Sequence, residues 1–244
     1  MVMHNFSALS TDAIVLLYLE APEEASAACA RVEARLSPEE QDRASRFRFR
    51  HDRNAFVAAH GLLRFALRQT TGRSDWLFDA GPHGKPVLVA GEGAVAPHFN
   101  ITHTPGLAAC GLSFDGPIGV DAELQGRAVD VAGVAERCFT PDERRRVETA
   151  GPERSRHFIE LWTLKESVAK ALGHGLAMDL RSFSVTTDSC AVRFEDQPDP
   201  QPDPSWRLGL TMLPRHCLAV ALRPEKTTAA PLEWREVSWD ELDD

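Results

Sequence analysis

Two acidic residues lie two positions apart in an otherwise apolar stretch, GVDAEL at residues 119–124. Asp121 and Glu123 alternate with Val120 and Ala122, and this period of two predicts a buried strand with one apolar and one acidic face. Carboxylates on one face repel each other and raise each other's pKa unless a positive charge neutralises them. Mg²⁺, which prefers one or two carboxylates together with phosphate oxygens and waters, would do so. A solvated sheet edge, on which paired acids cost little, is the alternative interpretation.

The clearest helix of the sequence is predicted over residues 157–172, because apolar residues recur there at spacings of three and four. Gly173 follows as a suitable C-terminal cap. Within this helix Glu166 and Lys170 are four residues apart and therefore share a face. They could act together in a cleft, or they could form an ordinary surface ion pair. Lys165 lies about 100° around the helix from Glu166, which separates it from that face.

A basic segment stands out in this acidic chain. Its start, Ser37-Pro38-Glu39-Glu40, predicts a helix N-terminus, with a serine cap, a proline in the first turn and acids at the positive end of the dipole. The helical region that follows, to about residue 69, carries seven arginines: Arg43, Arg46, Arg48, Arg50, Arg53, Arg64 and Arg68. These either cover the solvent face of an amphipathic helix or, in part, converge on an anionic ligand. Further on, Lys85 in the turn HGKP is suitably placed to contact a phosphate, although such turns are common without a ligand.

Composition limits the classes of protein to which the chain can belong. It has 244 residues, 43% of them hydrophobic, and a formal net charge of −9, which argues against a general nucleic-acid-binding surface. Its five cysteines are scattered and include no Cys-x-x-Cys pair, so zinc sites and disulfide frameworks are poorly supported and a reducing cytoplasm fits best. The apolar run at residues 13–19 is too short for a membrane span or a secretion signal and predicts a core strand.

The elements that must position these residues fall into two parts. The turn at Asp115-Gly116 is the natural division, which predicts an N-terminal half at residues 1–115 and a C-terminal half at 116–244. The helix start in the basic segment has a counterpart in Thr140-Pro141-Asp142-Glu143, which hints at two similar halves. Apolar runs predict strands at residues 107–114, 182–187, 191–194, 208–213 and 217–222, with a final strand near Trp234. We expect the first of these to pair with the acidic strand as a hairpin across the Asp115-Gly116 turn.

Five motifs in a fixed order carry a resemblance: SPEE with a following arginine (37–43), GKP (84–86), FNITH (99–103), IGVDAE (118–123) and WTLKESVAK (162–170). Together they resemble the 4′-phosphopantetheinyl transferase superfamily, and specifically its surfactin-synthetase-activating (Sfp) type, whose chains are of similar length. The resemblance extends from residue 37 to about residue 185. It implies an α+β fold in which two similar α/β halves are related by a pseudo-twofold axis and enclose the active site between them.

The resemblance also implies a reaction. Coenzyme A would give its 4′-phosphopantetheine group to a serine hydroxyl of an apo acyl carrier or peptidyl carrier protein, with Mg²⁺ required and adenosine 3′,5′-bisphosphate as the second product. A monomer suffices if both halves belong to one chain, and neither nucleic acid nor a membrane is expected as a partner. The sequence leaves open whether the carrier serves fatty-acid, polyketide or nonribosomal peptide biosynthesis, and whether acylated coenzyme A is accepted.

The family's catalytic residues are carried over position by position. Asp121, Glu123 and Glu166 match its three metal-site acids, and Asp121 is the principal ligand expected. Glu166 could instead accept the serine proton; because a metal-bound carboxylate is a weak base, the two roles conflict and both stay open. Lys170 matches the lysine that contacts the pyrophosphate and could stabilise the departing charge.

Further positions match the family's binding site for coenzyme A. The residues expected at its phosphates, including the 3′-phosphate, are Arg43, Lys85, Thr102 and His103. Thr102 stands where the family more often has serine, a change that keeps the hydroxyl donor. Arg53 is a further candidate, although the family varies at its position. Asn100 and Trp162 occupy motif positions and are interpreted as structural.

A docking surface for the carrier is expected next to the acidic strand. Carrier domains are usually acidic and so is this protein, so docking should depend on a local apolar and basic surface rather than on net attraction. The candidate is the segment after Glu123, which contains Arg127, Val129, Val131, Val134 and Arg137. A partly ordered loop and helix with no partner is the alternative.

Two other functions are compatible with these residues. A magnesium-dependent nucleotide phosphohydrolase would use the same acids, lysine and histidine, and would need no protein acceptor. A non-catalytic protein that binds coenzyme A or a carrier is the second alternative. It would be expected to lack one of the three acids or Lys170, and all four are present.

Overall fold

Each half of the chain repeats one order of helices and strands, within the residues that the computed structural model describes (14–24, 26–81, 86–89, 96–173, 178–195, 201–225 and 231–243). The first half comprises β1 (Val15–Glu20), α1 (Ala27–Ala34), α2 (Pro38–Ser45), α3 (Arg50–Thr71), β2 (Leu77–Ala80), β3 (Pro86–Val89), β4 (His98–Thr104) and β5 (Leu107–Ser113). The second comprises β6 (Ile118–Leu124), α4 (Val131–Cys138), α5 (Pro141–Thr149), α6 (Arg154–Leu172), β7 (Phe183–Thr186), β8 (Ala191–Phe194), β9 (Arg207–Met212) and β10 (His216–Leu222). A short strand and a short helix follow: β11 (Trp234–Glu236) and α7 (Trp239–Asp243).

The two halves form two sheets with the same strand order. In the first sheet β5 lies between β1 and β4, and in the second β10 lies between β6 and β9, with antiparallel pairing among these six strands. The long helix α3 packs on the first sheet and the long helix α6 on the second. The predicted α+β fold with two similar halves is therefore confirmed. The division at residue 115 stays a prediction, and β11 pairs in parallel with β1 from beyond it.

The expected hairpin between the strand at 107–114 and the acidic strand is wrong. Both edges of β5 are already occupied, by β1 on one side and by β4 across the Pro105-Gly106 turn on the other. The Asp115-Gly116 turn instead leads the chain into the second sheet, where β6 pairs with β10. Gly116 allows this change of direction because its φ is 146°, which side chains of L-residues rarely accept.

The apolar face of the acidic strand packs between the two sheets, as its period of two predicts. Ile118 and Val120 of β6 form a buried cluster with Leu16 of β1 and with Val220 and Leu222 of β10. A second cluster joins Ala122 to Leu107, Ala109 and Leu218. The opposite face of β6, which carries the acids, is therefore directed toward α6. In the described part of the chain, no helix combines the length and apolar character that crossing a membrane requires.

The two predicted helix starts are both confirmed as capping boxes. Ser37 accepts a hydrogen bond from the Glu40 amide and Glu40 accepts one from the Ser37 amide, and Thr140 and Glu143 repeat this arrangement at α5. Each capping glutamate also holds the long helix of its own half. Arg64 of α3 donates to Glu40, and Lys165 of α6 donates to Glu143.

Lys165 is thereby fixed in the core of the second half. Its side chain is fully buried, with Nζ at 2.8 and 3.0 Å from the two oxygens of Glu143 and 2.6 Å from the Phe183 carbonyl oxygen. Burial lowers the pKa of Lys165, and the charge of Glu143 opposes that effect. Glu143 also accepts hydrogen bonds from the amides of Thr140 and Val185. Lys165 therefore joins α5, α6 and β7 and is directed away from Glu166.

We expect Lys165→Met to lower the free energy of unfolding by about 3–5 kcal/mol, because it leaves the Glu143 carboxylate buried without its counter-charge. Urea denaturation followed by tryptophan fluorescence would measure the change. Arg145→Met is the matched control, because it breaks the exposed Arg145–Asp142 pair on α5 and should have almost no effect. Equal stability of the two variants would contradict a structural role for Lys165.

Candidate active site

A close approach between β6 and α6 creates the candidate site. A side chain on Gly119 would place its Cβ 2.1 Å from the Ser167 carbonyl oxygen and 2.4 Å from the Ala171 amide nitrogen, so only glycine fits. Side chains alternate along a strand, and Asp121 and Glu123 follow Gly119 on the same face. Gly119 thus allows Asp121 and Glu123, which follow it in the strand, to approach the last turns of α6.

A lysine, an aspartate and a threonine from three elements meet at this contact. Lys170 Nζ lies 2.5 Å from Asp121 Oδ1 and 3.2 Å from Thr102 Oγ1. The Thr102 hydroxyl lies 3.4 Å from the same Asp121 oxygen. Thr102 is brought here by β4 of the first sheet, which is tied to β6 by a hydrogen bond of 2.8 Å from the Val120 amide to Asn100 Oδ1. The site therefore lies where the two halves join.

Asp121 retains one unsatisfied oxygen. Its Oδ2 is buried and has no hydrogen-bond partner among the described residues. Burial and the nearby Asp121 charge raise the pKa of both Glu123 and Glu166, while Lys170 opposes the effect. Three carboxylates thus interact with one ammonium group, of which Asp121 alone is in direct contact with it. Because a buried acceptor without a partner is costly, an additional cation at Asp121 would stabilise this arrangement.

The three acids do not form a preformed metal cage. Across the described residues, no group of three or more His, Cys, Asp or Glu side chains is close enough together to hold a metal ion. Mg²⁺ commonly takes only one or two carboxylates from the protein and completes its coordination with substrate phosphates and waters. The unsatisfied Asp121 oxygen, with Glu123 and Glu166 beside it, fits a site of that kind.

Trp162 links the acidic strand to α6 and separates two grooves. Its Nε1 donates a hydrogen bond of 2.9 Å to Glu123 Oε1, and its ring stacks on Phe158. Sequence reasoning missed this contact, although Trp162 precedes Glu166 by four residues and shares its helix face. One groove, of about 330 Å³, runs from Glu123 along the residues before and within α4. The other, of about 370 Å³, contains Glu166 and Lys170.

Basic side chains lie beside this acidic centre. Burial lowers the pKa of His103 although its side chain reaches the surface, and the nearby positive charges of His60, Lys170 and Arg43 act in the same direction, so that its pKa is about 4. With this pKa, His103 is neutral at pH 7. Arg43 is exposed on α2, with its guanidinium 5.3 Å from the centre of the Phe56 ring.

The structure does not show two of the residues expected at the phosphates of coenzyme A in a position to bind them. Arg53 donates to both oxygens of Glu33 at 2.7 Å, so α1 neutralises its charge. Lys85 lies outside the described residues. The structure therefore gathers Asp121, Thr102 and Lys170 by direct contact, with Glu123 and Glu166 beside them.

Residues 117–221 match the family model described as the 4′-phosphopantetheinyl transferase superfamily. The chain is 35% identical to a putative 4′-phosphopantetheinyl transferase of Synechocystis over 179 residues, and the matched region covers 72% of each protein. It is 31% identical over 154 residues to the 4′-phosphopantetheinyl transferase Sfp of Bacillus subtilis, covering 62% of this chain and 66% of that enzyme. Among solved structures it is similar to the holo-[acyl-carrier-protein] synthase of Thermotoga maritima, with a TM-score of 0.34, 20% identity and coverage of 46% of this chain and 65% of that one.

We expect Gly119→Ala to destabilise the fold by about 3 kcal/mol, because the added methyl group meets backbone atoms of α6 that cannot move aside. Gly209→Ala in β9 of the same sheet is the control. Its Cβ would lie 3.0 Å from one methyl group of Val220 and should cost about 1 kcal/mol or less. Urea unfolding of both variants measures the difference, and a Gly119→Ala variant as stable as the control would contradict the tight contact.

Proposed function

The chain belongs to the 4′-phosphopantetheinyl transferase superfamily, and on this premise we propose that it transfers the 4′-phosphopantetheine group of coenzyme A to a serine of an apo carrier protein. Adenosine 3′,5′-bisphosphate is released. The observation that carries the proposal is the Asp121–Lys170–Thr102 contact, with its unsatisfied carboxylate oxygen and two further acids beside it. A centre with one ammonium group and a place for a cation suits a bound pyrophosphate.

The reaction is a displacement at phosphorus. The serine oxygen forms a bond to the phosphorus that carries the pantetheine arm, and the bond from that phosphorus to the bridging oxygen breaks. The electron pair goes to the departing bisphosphate, so negative charge develops on its oxygens. Lys170 stabilises this charge, because its ammonium is already oriented by Asp121 and Thr102 and needs little reorganisation.

Mg²⁺ is the cation that we propose for the centre, held by Asp121 with Glu123 and Glu166. When bound it neutralises and polarises the pyrophosphate oxygens. Trp162 keeps Glu123 directed toward the centre through its indole hydrogen bond. Glu166 lines the same groove as Lys170 and is a candidate both as metal ligand and as the group that accepts the serine proton.

Basic and hydroxyl side chains of α2 and β4 are proposed to hold the phosphates of coenzyme A. Arg43 is exposed and available to an anion, and His103 and the Thr102 hydroxyl lie on the strand that leads into the centre. Lys85 and Arg53 stay candidates from the family resemblance. Since His103 is neutral in the free protein at pH 7, a bound phosphate can raise its pKa and draw a proton onto it.

The groove beside Trp162 is the proposed docking surface for the carrier. It begins at Glu123 of the metal centre, so a carrier seated there brings its serine toward the pyrophosphate. Apolar residues line it, among them Val129, Val131, Val134, Phe158 and Ile159. Arg127 adds an exposed positive charge that complements an acidic carrier. We place the reaction in the cytoplasm and propose that one chain, as a monomer, contains the complete site.

Intact-protein mass spectrometry of the carrier tests the function. With coenzyme A and Mg²⁺, an apo acyl or peptidyl carrier protein should gain the mass of one 4′-phosphopantetheine group, and a carrier whose acceptor serine is alanine should not. Asp121→Asn should lower the rate at least about 100-fold, because it removes the charge that orients Lys170. Glu160→Gln, which changes another acid on α6 that pairs with Arg156, is the control and should retain activity.

Removal of divalent cations with EDTA should also stop the transfer, and added Mg²⁺ should restore it. Breakdown of coenzyme A with no modified carrier would contradict the proposal and favour a phosphohydrolase. Binding of coenzyme A or carrier without either reaction would favour a non-catalytic binding protein.

We expect Val129→Asp to raise KM for the carrier about ten-fold and to leave KM for coenzyme A unchanged, because it places a negative charge in the path of an acidic partner. Val89→Asp on β3 is the matched control, since Val129 is 41% exposed and Val89 is 44% exposed. Steady-state kinetics with each substrate varied in turn makes the comparison. Equal effects of both variants on the carrier would exclude the groove as the docking surface.

A further inference from the structure

The ring of Phe56, on α3, is in contact with one guanidinium group and two histidine rings. It is 1% exposed. The Arg43 guanidinium of α2 lies 5.3 Å from its centre, and the His103 ring of β4 meets it edge-on at 6.2 Å. His60, one turn further along α3, packs against it at 4.2 Å. Two residues proposed to hold phosphates therefore contact one buried ring.

The Phe56 ring holds the Arg43 guanidinium through a cation–π contact. Within the described residues Arg43 has no carboxylate partner, whereas its neighbour Arg46 is paired with Asp42. A guanidinium over an aromatic face is attracted to the ring and stays available to an anion, whereas an ion-paired guanidinium is already neutralised. The long arginine side chain also loses less rotamer freedom on ligand binding if the ring already restricts it.

The ring is itself held in place from the other side. His60 Nδ1 lies 2.8 Å from Glu40 Oε1, and Arg64 donates to the second oxygen of Glu40. Glu40 belongs to the capping box of α2, the helix that carries Arg43 three residues later. These contacts join α2 to α3, so that Arg43, Phe56 and His60 keep a fixed spacing.

We propose that Phe56 is a positioning residue for the phosphate-binding end of the site. It holds Arg43 over its face and packs perpendicular to the His103 ring, so that both meet the phosphates of a bound coenzyme A without rearrangement. This inference rests on the proposed function, because it takes coenzyme A as the ligand of those two residues. It assigns to a buried apolar residue a measurable part in donor affinity.

The chain offers a matched control on the same helix. Phe65 follows Phe56 by nine residues, which is half a turn beyond two full turns, so it lies on the opposite face of α3. It is 4% exposed and also carries two guanidinium groups, those of Arg68 at 5.9 Å and Arg235 at 5.8 Å. Phe65→Leu should therefore resemble Phe56→Leu in its loss of packing and of cation–π contact, but it does not touch Arg43 or His103.

The experiment compares KM and kcat for coenzyme A at saturating carrier and Mg²⁺. Phe56→Leu should raise KM for coenzyme A about five-fold with kcat nearly unchanged, the size expected from the loss of a cation–π contact at an exposed cation. Phe56→Tyr keeps the ring and should retain the wild-type KM even if the buried hydroxyl lowers stability. Phe65→Leu should leave KM unchanged. If Phe56→Leu does not fold, Phe56→Met provides the same loss of the ring with a closer fit in volume.

A double-mutant cycle identifies the residues through which the ring acts. In an Arg43→Gln, His103→Gln background, the effect of Phe56→Leu on KM should fall to less than about two-fold, because its two partners are gone. An effect that persists in this background, an equal rise of KM in Phe65→Leu, or a loss confined to kcat would overturn the inference.

Calorimetric titration of coenzyme A into each variant gives the same comparison without transfer. A wild-type protein that binds coenzyme A but modifies no carrier would therefore count against the proposed function and leave the role of Phe56 to be decided by the titrations.

Discussion

The distance between β6 and α6 is the constraint on which the site depends. At Gly119 the strand passes so close to the helix that no side chain can be accommodated, and this brings Lys170 to 2.5 Å from Asp121 although 49 residues separate them. Thr102 reaches the same point from the first sheet, because Asn100 ties β4 to the backbone of β6. The backbone contact at Gly119 and the hydrogen bond of Asn100 therefore determine where the acids, the lysine and the hydroxyl meet.

Two ion pairs on α6 differ in a way that separates structure from chemistry. Lys165 and Glu143 are fully buried, and Glu143 accepts hydrogen bonds from Lys165 and from two backbone amides. Lys170 and Asp121 are instead partly open, with one Asp121 oxygen unsatisfied and two further acids nearby. The first pair is complete without a ligand. The second has more negative than positive charge, and on the proposed function a cation and an anionic ligand together would complete it.

The two halves repeat one framework but carry different functional side chains on it. In each half a capping box begins the helix before the long one, at α2 and at α5, and its glutamate pairs with a basic residue of the long helix. That basic residue, Arg64 or Lys165, lies eight positions before the glycine that caps the long helix. Asp121 and Glu123 lie on the first strand of the second half. The first half contributes Arg43, His103 and the ring of Phe56 between them. On the proposed function, one half therefore holds the phosphates of coenzyme A and the other performs the transfer.

The sequence by itself determined what depends on neighbours along the chain. Both capping boxes, the left-handed Gly173, the alternation in β6 and the shared face of Glu166 and Lys170 arise within a few residues, so motif and period predicted them. Only the tertiary structure decided what depends on distant partners. It paired β6 with β10 because β5 had no free edge, buried Lys165 against Glu143, joined Trp162 to Glu123 and assembled the group around Phe56. Local hydrogen bonds are encoded by spacing, whereas these contacts depend on which surfaces the fold brings together.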